Sequence, residues 1–248
     1  AFAAVFVAAV YVRPAIALLP AGLALVALLR GRLGWRAAAV RLLVAHAVLV
    51  AAVAPWSQRN VEVMGGFSAI STNFGPILLM GNWPGTPGTH NRIPERYRAG
   101  AEGLSEVARE RLFRDRAIAL IAEEPGRFVL RTARKALLFH QRQSVAIHLN
   151  APGAEAVLGR AGARALWALG NAAWFAALAG AAVGLGFLLL AAPPAARDFP
   201  GPWVWLYFVG VHSVLIVNDR FNLQVTPFVI ALAAYGAVRL AGRAGRAP

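Results

Sequence analysis

A small set of side chains has the types and spacing to hold a phosphate or a sugar. Arg59 and Asn60 are adjacent, Ser71, Thr72 and Asn73 are consecutive, and Asn82 lies within Gly81-Asn82-Trp83-Pro84-Gly85. Lys135 and Arg220 follow at wide spacing. Arginine presents a planar fork that matches two phosphate oxygens, whereas lysine acts as a compact point charge. Asn and Ser side chains bond sugar hydroxyls, and Trp83 offers a ring face. Each position also has a plainer use. Arg59 can snorkel to ordinary head groups, Ser71 to Asn73 can close their own Asx and ST turns, Lys135 can anchor to a head group, and Arg220 can pair with Asp219.

Other chemistries lack their residues. The chain has no cysteine, which excludes disulfides and thiolate metal sites within it. His46, His148 and His212 have no metal-ligand spacing, so no protein metal site and no cofactor is predicted, and dependence on a divalent metal stays open. There is no P-loop, no GxGxxG before a strand, no GxSxG and no Cys-His arrangement, which leaves nucleotide hydrolysis and covalent acyl transfer without support.

The elements that must position these residues are those of a membrane protein. Of 248 residues, 58% are hydrophobic and only 15% charged, with a mean hydropathy of +0.57, too apolar for an ordinary soluble domain. The formal charge is +14. Its arginines sit between apolar runs and along one segment, which favours anionic lipid head groups or phosphates over nucleic acid. A spanning helix needs roughly 20 apolar residues. Candidates run over Ala1 to Val12, Ala15 to Leu29, Ala37 to Ala54, Ala165 to Ala192, Trp203 to Val217 and Thr226 to Leu240, with Arg13-Pro14 a break between the first two. The predicted fold is therefore an all-α polytopic membrane protein with five to six transmembrane helices and one large outer loop containing amphipathic helices.

Arginines flanking short loops set the orientation. Arg30, Arg32, Arg36 and Arg41, and Arg239, Arg243 and Arg246 after the last helix, place their ends in the cytoplasm, with Pro193 to Pro202 inside and Asn218 to Val225 outside. Three segments result: residues 1–54 in the membrane, 55–164 outside, and 165–248 returning to the membrane with a basic tail. Pro55 to Gly88 reads as a loop, its Trp56 at the interface. Gly103 to Ile121 has helical spacing, and a second helix begins at Pro125, where Phe128, Val129, Leu137, Leu138 and Phe139 interleave with Arg127, Arg131, Arg134 and Lys135. The latter reads as an interfacial amphipathic helix, with a soluble helix carrying a solvated charged face as the alternative. The opening at Ala1, inside an apolar run and without a charged leader, reads as a fragment.

Within Pro55 to Gly88 the order Pro55-Trp56 with Arg59-Asn60, then Ser71-Thr72-Asn73 with Gly75, then Gly81-Asn82 with Pro84-Gly85 resembles the first part of the large periplasmic loop of bacterial GT-C membrane glycosyltransferases. That group is related to protein mannosyltransferases and aminoarabinose transferases. Glu106 to His140 resembles the same family's stretch with an acidic helix, a proline and a late lysine before an aromatic. His212 to Gly236 looks like its final outer turn and helix, with two departures: Asn222 stands where an arginine is common, and Gln224-Val225-Thr226 replaces the first proline region. The resemblance covers most of the chain and is strongest at Pro55 to Gly88.

The resemblance implies transfer of a sugar from a polyprenyl-phosphate donor to a lipid, glycan or protein acceptor at the outer face of the bacterial inner membrane, with inversion. It implies Arg59, Asn60, Ser71, Thr72, Asn73, Asn82, Lys135 and Arg220 as substrate-binding residues, with Arg59, Lys135 or Arg220 opposing the charge of the departing phosphate. The family's acceptor-activating Asp lies in an earlier outer loop, so the catalytic residue is expected upstream of Ala1 and the present chain alone is expected to be inactive. The competing class is a non-catalytic transporter or lipid-binding scaffold, for which Arg13-Pro14, Arg41 and His46 are the hints.

Overall fold

The computed structural model describes residues 2–143, 145–193 and 198–244. Ala1, Arg246 and part of the turn expected over Pro193 to Pro202 fall outside them. Among the described residues the fold is all-α, without a strand. The chain forms two compact units, one of residues up to Lys135 with Ser213–Ile216, the other of Ala136–His212 with the residues from Val217 on.

In the first unit, α1 (Phe2–Val12) stops at Arg13, whose backbone is extended (φ −142°, ψ 95°), and Pro14 opens a short 3-10 turn, as a residue held out of the helical region by a following proline requires. Helix α2 covers Leu19–Leu29 and α3 covers Trp35–Met64. The loop expected from Pro55 is corrected here: α3 continues through Pro55 for nine more residues, to Met64, and so runs across the boundary expected at 54. One proline removes a single intrahelical donor. Leu49, Val53, Ser57 and Asn60 stay buried on both sides of it, along one face at helical spacing, and that face holds the helix together. Gly65, left-handed at φ 68°, ends it.

Helix α4 (Phe74–Asn82) lies inside the second half of the expected loop. It packs on α6 (Glu106–Glu123) through Leu78, Leu79, Phe113 and Ala117, joined by Ile93 and Ala101. A Cβ on Gly75 would stand 2.1 Å from the Glu110 carbonyl oxygen, so only glycine lets the two backbones meet. Ser105 caps α6 by accepting from the Ala108 N–H, two residues after the expected start. A single helical turn, α5 (Glu95–Arg98), precedes it, and α7 (Pro125–Leu138) begins at the proline the sequence marks.

The second unit contains α8 (Val145–Leu149), α9 (Ala151–Leu190), most of α10 (Gly201–Val214), a 3-10 turn (Asp219–Gln224) and α11 (Thr226–Ala244). Helix α9 begins fourteen residues earlier than the expected span and breaks its helical geometry at Gly159 (φ 68°, ψ 168°). Helices α9 and α11 meet through small residues. A Cβ on Gly184 would lie 1.9 Å from the Leu232 carbonyl oxygen, and one on Gly236 would lie 2.8 Å from the Gly184 nitrogen. This close approach is how helices pack in lipid, where backbone contact replaces hydrophobic drive.

Among the described residues two helices, α3 and α9, are long and apolar enough to cross a membrane, while α1, α2 and α11 are apolar but shorter. Val40, Leu43, Val44 and Val50 of α3 are 61%, 71%, 58% and 67% exposed, an apolar surface of the kind that water disfavours.

Candidate functional site

The last turns of α3 hold the segment that follows them. Asn60 Nδ2 donates to the Ser68 carbonyl at 3.1 Å, Ser57 Oγ to Ala69 at 3.0 Å and Trp56 Nε1 to Ile70 at 3.3 Å. Three donors clustered over little more than one helical turn thus bind three consecutive carbonyls. Asn60 is 1% exposed, and its Oδ1 accepts from Arg59, whose guanidinium lies 5.2 Å from the Trp56 ring centroid. Asn60 is therefore occupied internally, while Arg59 keeps a stacked, outward charge.

Beyond these carbonyls the segment arches over α6. Gly66 sits so near Val107 that a Cβ would be 2.9 Å from its Cγ1, and Gly75 rests on Glu110. Between these two feet a pocket of about 160 Å³ remains, walled by Phe67, Ser68, Ser71 and Thr72 on one side and Glu110 and Arg114 on the other. Ser71 Oγ accepts from the Asn73 N–H at 3.2 Å, an ST turn, and Thr72 Oγ1 donates to Glu106 at 3.2 Å. Arg114 pairs with Glu110 at 3.2 Å. Asn73 is exposed and its side chain does not cap α4.

Asn82 and Lys135, far apart in sequence, meet in one knot. Lys135 Nζ donates toward Gly81 O (3.1 Å), Asn82 Oδ1 (3.2 Å), Val214 O (3.1 Å) and Leu215 O (2.8 Å). Asn82 Nδ2 donates to Leu78 O and Val214 O. The carbonyls come from the C-terminal ends of α4 and α10, where unpaired carbonyls and the negative end of the helix dipole favour a cation. Lys135 is 1% and Asn82 0% exposed, which corrects the expectation of a surface lysine. Its acceptors are neutral, and burial, aided by the nearby charge of Arg131, lowers its pKa from 10.5 to about 7. Gly88 leaves room for the stem: a Cβ there would be 2.8 Å from Lys135 Cγ. Trp83 is likewise engaged, donating from Nε1 to Asn91 Oδ1 at 3.2 Å.

One turn earlier on α7 the charges open outward. Arg127, Arg131 and Arg134, at i, i+4 and i+7, line a cavity of about 240 Å³ together with Leu130 and Pro84, Gly85 and Thr86. Thr86 is set by its Oγ1 donating to Met80 O at 2.7 Å. Glu124 pairs with Arg127 at 2.9 Å and approaches Arg131 at 3.8 Å, so three cations face one carboxylate. Arg131 Nε and Nη2 are buried without a hydrogen-bond partner. On the same helix Val129, Leu137 and the cavity-lining Leu130 are 63%, 78% and 71% exposed. A helix in water turns its apolar side inward. Helix α7 instead leaves these apolar side chains outside and fully buries Lys135.

Sequence reasoning assigned Arg127, Arg131 and Arg134 only to a polar face, although their spacing already marked a common direction. It also passed over Ser68, Glu110 and Arg114, of which only the i, i+4 pair was legible. Arg220 belongs to the second unit, exposed at the start of the 3-10 turn, with its guanidinium 5.5 Å from the Phe221 ring centroid. Neighbouring Asp219 pairs with Arg142 at 3.4 Å. The same unit holds His140 as the tautomer that accepts from Trp205 Nε1 at Nε2 (2.9 Å) and donates from Nδ1 to Ala136 O (2.9 Å). Burial lowers its pKa against the opposing effect of that backbone bond. Among the described residues no group of three His, Asp or Glu side chains is placed to share a metal ion. No family model, no curated protein and no solved structure matches this chain.

Proposed function

We propose that the chain carries the donor-binding part of an integral membrane glycosyltransferase of the GT-C type, moving a sugar from a polyprenyl-phosphate donor at the outer face of the bacterial inner membrane. The observation that carries this reading is the double character of α7: three arginines around a cavity and, beside them, exposed apolar side chains, of which Leu130 reaches the cavity itself. A phosphate attached to an isoprenoid needs that pairing, a cationic cradle at the level where lipid tails begin. Arginine is suited to it because its fork binds two phosphate oxygens and keeps its charge at any physiological pH. As the bond from the sugar to the phosphate oxygen breaks, negative charge grows on the phosphate, and fixed cations stabilise that change more than they stabilise the bound donor. An apolar groove of about 540 Å³, lined by Leu23, Ala24, Val40, Val44 and Val48, suits a lipid tail. In this reading the shorter helices α1, α2, α10 and α11 span the membrane as α3 and α9 do, giving five to six spans, with residues 55–164 outside and the basic chain end in the cytoplasm.

A lipid-binding scaffold is the second reading. It is favoured by the internal use of Asn60, Asn82 and Lys135, which leaves fewer side chains for a sugar donor. Native mass spectrometry of the chain released from detergent, with polyprenyl phosphate, polyprenol and phosphatidic acid as probes, separates the two. The transferase reading expects polyprenyl phosphate to be retained, polyprenol not, and retention to fall about tenfold in Arg134→Ala. Equal retention of phosphatidic acid favours the scaffold, and absence of any phosphate-dependent retention removes both readings.

A further inference from the structure

We infer that the arch between Gly65 and Asn73 on α6 is a binding site for one neutral, hydroxyl-rich ring, the size of a single sugar. The inference rests on the transferase reading for its biological use, since it places that reaction's sugar, but its residues are separate from the arginine cavity. Three features support it. The walls are preformed: the backbone of the arch is tied to α3 by the donors of Trp56, Ser57 and Asn60, and its feet are held by the close contacts of Gly66 and Gly75 with α6. Because those donors take the carbonyls of Ser68, Ala69 and Ile70, a ligand meets side-chain hydroxyls instead.

The second feature is an unmet need. Ser68 lines the pocket and is only 8% exposed, and its Oγ has no hydrogen-bond partner. A buried hydroxyl without a partner costs about 1–3 kcal/mol; Oγ is enclosed in the free chain, and a turn of the Ser68 side chain into the pocket would let a ligand hydroxyl remove that cost. The third feature is the pairing of donors with acceptors. Glu110 accepts, Arg114 donates, and Ser71 and Thr72 can do either, which matches the alternating hydroxyls of a polyol. Phe67, 64% exposed at the mouth, offers a flat apolar face of the kind that ring C–H groups cover. Glu110 and Arg114 cancel as an ion pair at 3.2 Å, and Glu106 adds a further carboxylate through Thr72. A phosphate would meet that carboxylate charge, so the occupant is the neutral ring and not the anionic part of a donor. At about 30 Å³ per water, the pocket's 160 Å³ holds about five waters, room for one ring and not two.

The test is saturation-transfer NMR on the full chain in detergent, with methyl glucoside, methyl mannoside and inorganic phosphate as probes. At least one glycoside should receive saturation from the protein, and Glu110→Gln should weaken its binding about tenfold. Ala69→Phe, which fills the pocket without removing any of the bonds to α3, should abolish the signal while the thermal unfolding midpoint stays near that of the wild type, showing that the variant is folded. Transfer to neither glycoside, or a glycoside signal that survives Ala69→Phe, overturns the inference. A wild type that binds no glycoside yet retains polyprenyl phosphate overturns the inference and leaves the lipid-phosphate reading standing. Glycoside binding without any lipid retention removes that reading and keeps the sugar site.

Discussion

Lys135 and Arg134 are neighbours on α7, yet the protein uses them in opposite ways. Lys135 is closed in: its ammonium faces the carbonyl ends of two helices and the Asn82 side chain, and water has no access. Arg134 faces the cavity beside Gly85 and Thr86. The difference follows from shape. An ammonium on a flexible stem can be surrounded by carbonyls in a narrow hole, whereas a planar guanidinium needs a flat partner and is less strongly hydrated. In an arginine-rich chain the lone lysine looks like the special binding group. The structure gives that residue a structural task and leaves Arg127 and Arg134 facing outward.

The largest effect is expected at the closed site. Lys135→Met leaves the neutral acceptors that share its N–H groups, Gly81, Asn82, Val214 and Leu215, without that donor in a sealed environment, and each buried polar group left unsatisfied costs about 1–3 kcal/mol. Thermal unfolding in detergent should show a severe loss, with lipid retention falling only as far as the fold does. The wild type should also depend on pH in a defined direction. The Lys135 pKa is lowered from 10.5 to about 7 in the folded chain, so between these values the unfolded chain binds more protons and stability rises with pH. This contribution is complete above pH 10.5 and lost as pH falls through about 7. The Lys135→Met variant should lack that slope. An identical slope in the variant would show that another group is responsible.

Gly81→Ala tests whether the knot depends on backbone proximity as well as on charge. Its Cβ would stand 1.7 Å from the Leu215 carbonyl oxygen, one of the acceptors of Lys135, so the turn bearing Leu215 must move. Overpacking of this kind costs about 1–3 kcal/mol, and amide exchange should quicken around Val214 and Leu215. Gly100→Ala is the matched control for space, because nothing lies within 4 Å of a Cβ there, although its φ of +73° carries its own strain. A smaller loss at Gly81 than at Gly100 would show that the contact is not tight.

These two regions also show what a sequence discloses. The break at Arg13-Pro14, the start of α7 at Pro125 and, within a few residues, the limits of α6 were legible because each depends on local rules of proline and capping. Pro55 misled for the same reason. The local rule ends a helix there, but burial of Val53, Ser57 and Asn60 on a common face outweighs one lost hydrogen bond. The fate of Lys135 was not legible at all, since two of its acceptors, Val214 and Leu215, lie 79 and 80 residues away. The polar shelf at Ser71 to Asn73 was recognised, whereas its opposite wall, Glu110 and Arg114, depends on Gly75 bringing α4 onto α6. In the candidate site, therefore, the residue types were readable and their partners were not.

The open site should give the opposite pattern to Lys135. Arg134→Ala removes a charge with no ion pair among those found for α7, which join Glu124 to Arg127 and Arg131. Surface changes of this kind stay within about 0.5 kcal/mol of stability. Retention of polyprenyl phosphate should nevertheless fall about tenfold, about 1.4 kcal/mol of binding. A stability loss that rivals Lys135→Met would erase the distinction between closed and open cations.

The smallest effect sharpens the same distinction at the arch. Ser57→Ala deletes one donor, the bond from Oγ to the Ala69 carbonyl at 3.0 Å, while Trp56 and Asn60 keep the carbonyls on either side. A single hydrogen bond contributes about 0.5–1.5 kcal/mol, and the flanking bonds hold the arch near its place, so the loss should lie at the lower end of that range. If the arch is a preformed site, a small loss of rigidity there should weaken methyl glycoside binding more than it lowers the unfolding midpoint, because the ligand must restore the order that the missing bond supplied. Lipid retention at the arginine cavity should not change, since none of the residues lining it bonds to Ser57. Equal changes in both would mean that the arch and the cavity respond to general loosening of the first unit, and that its polar groups behave as closed structure throughout.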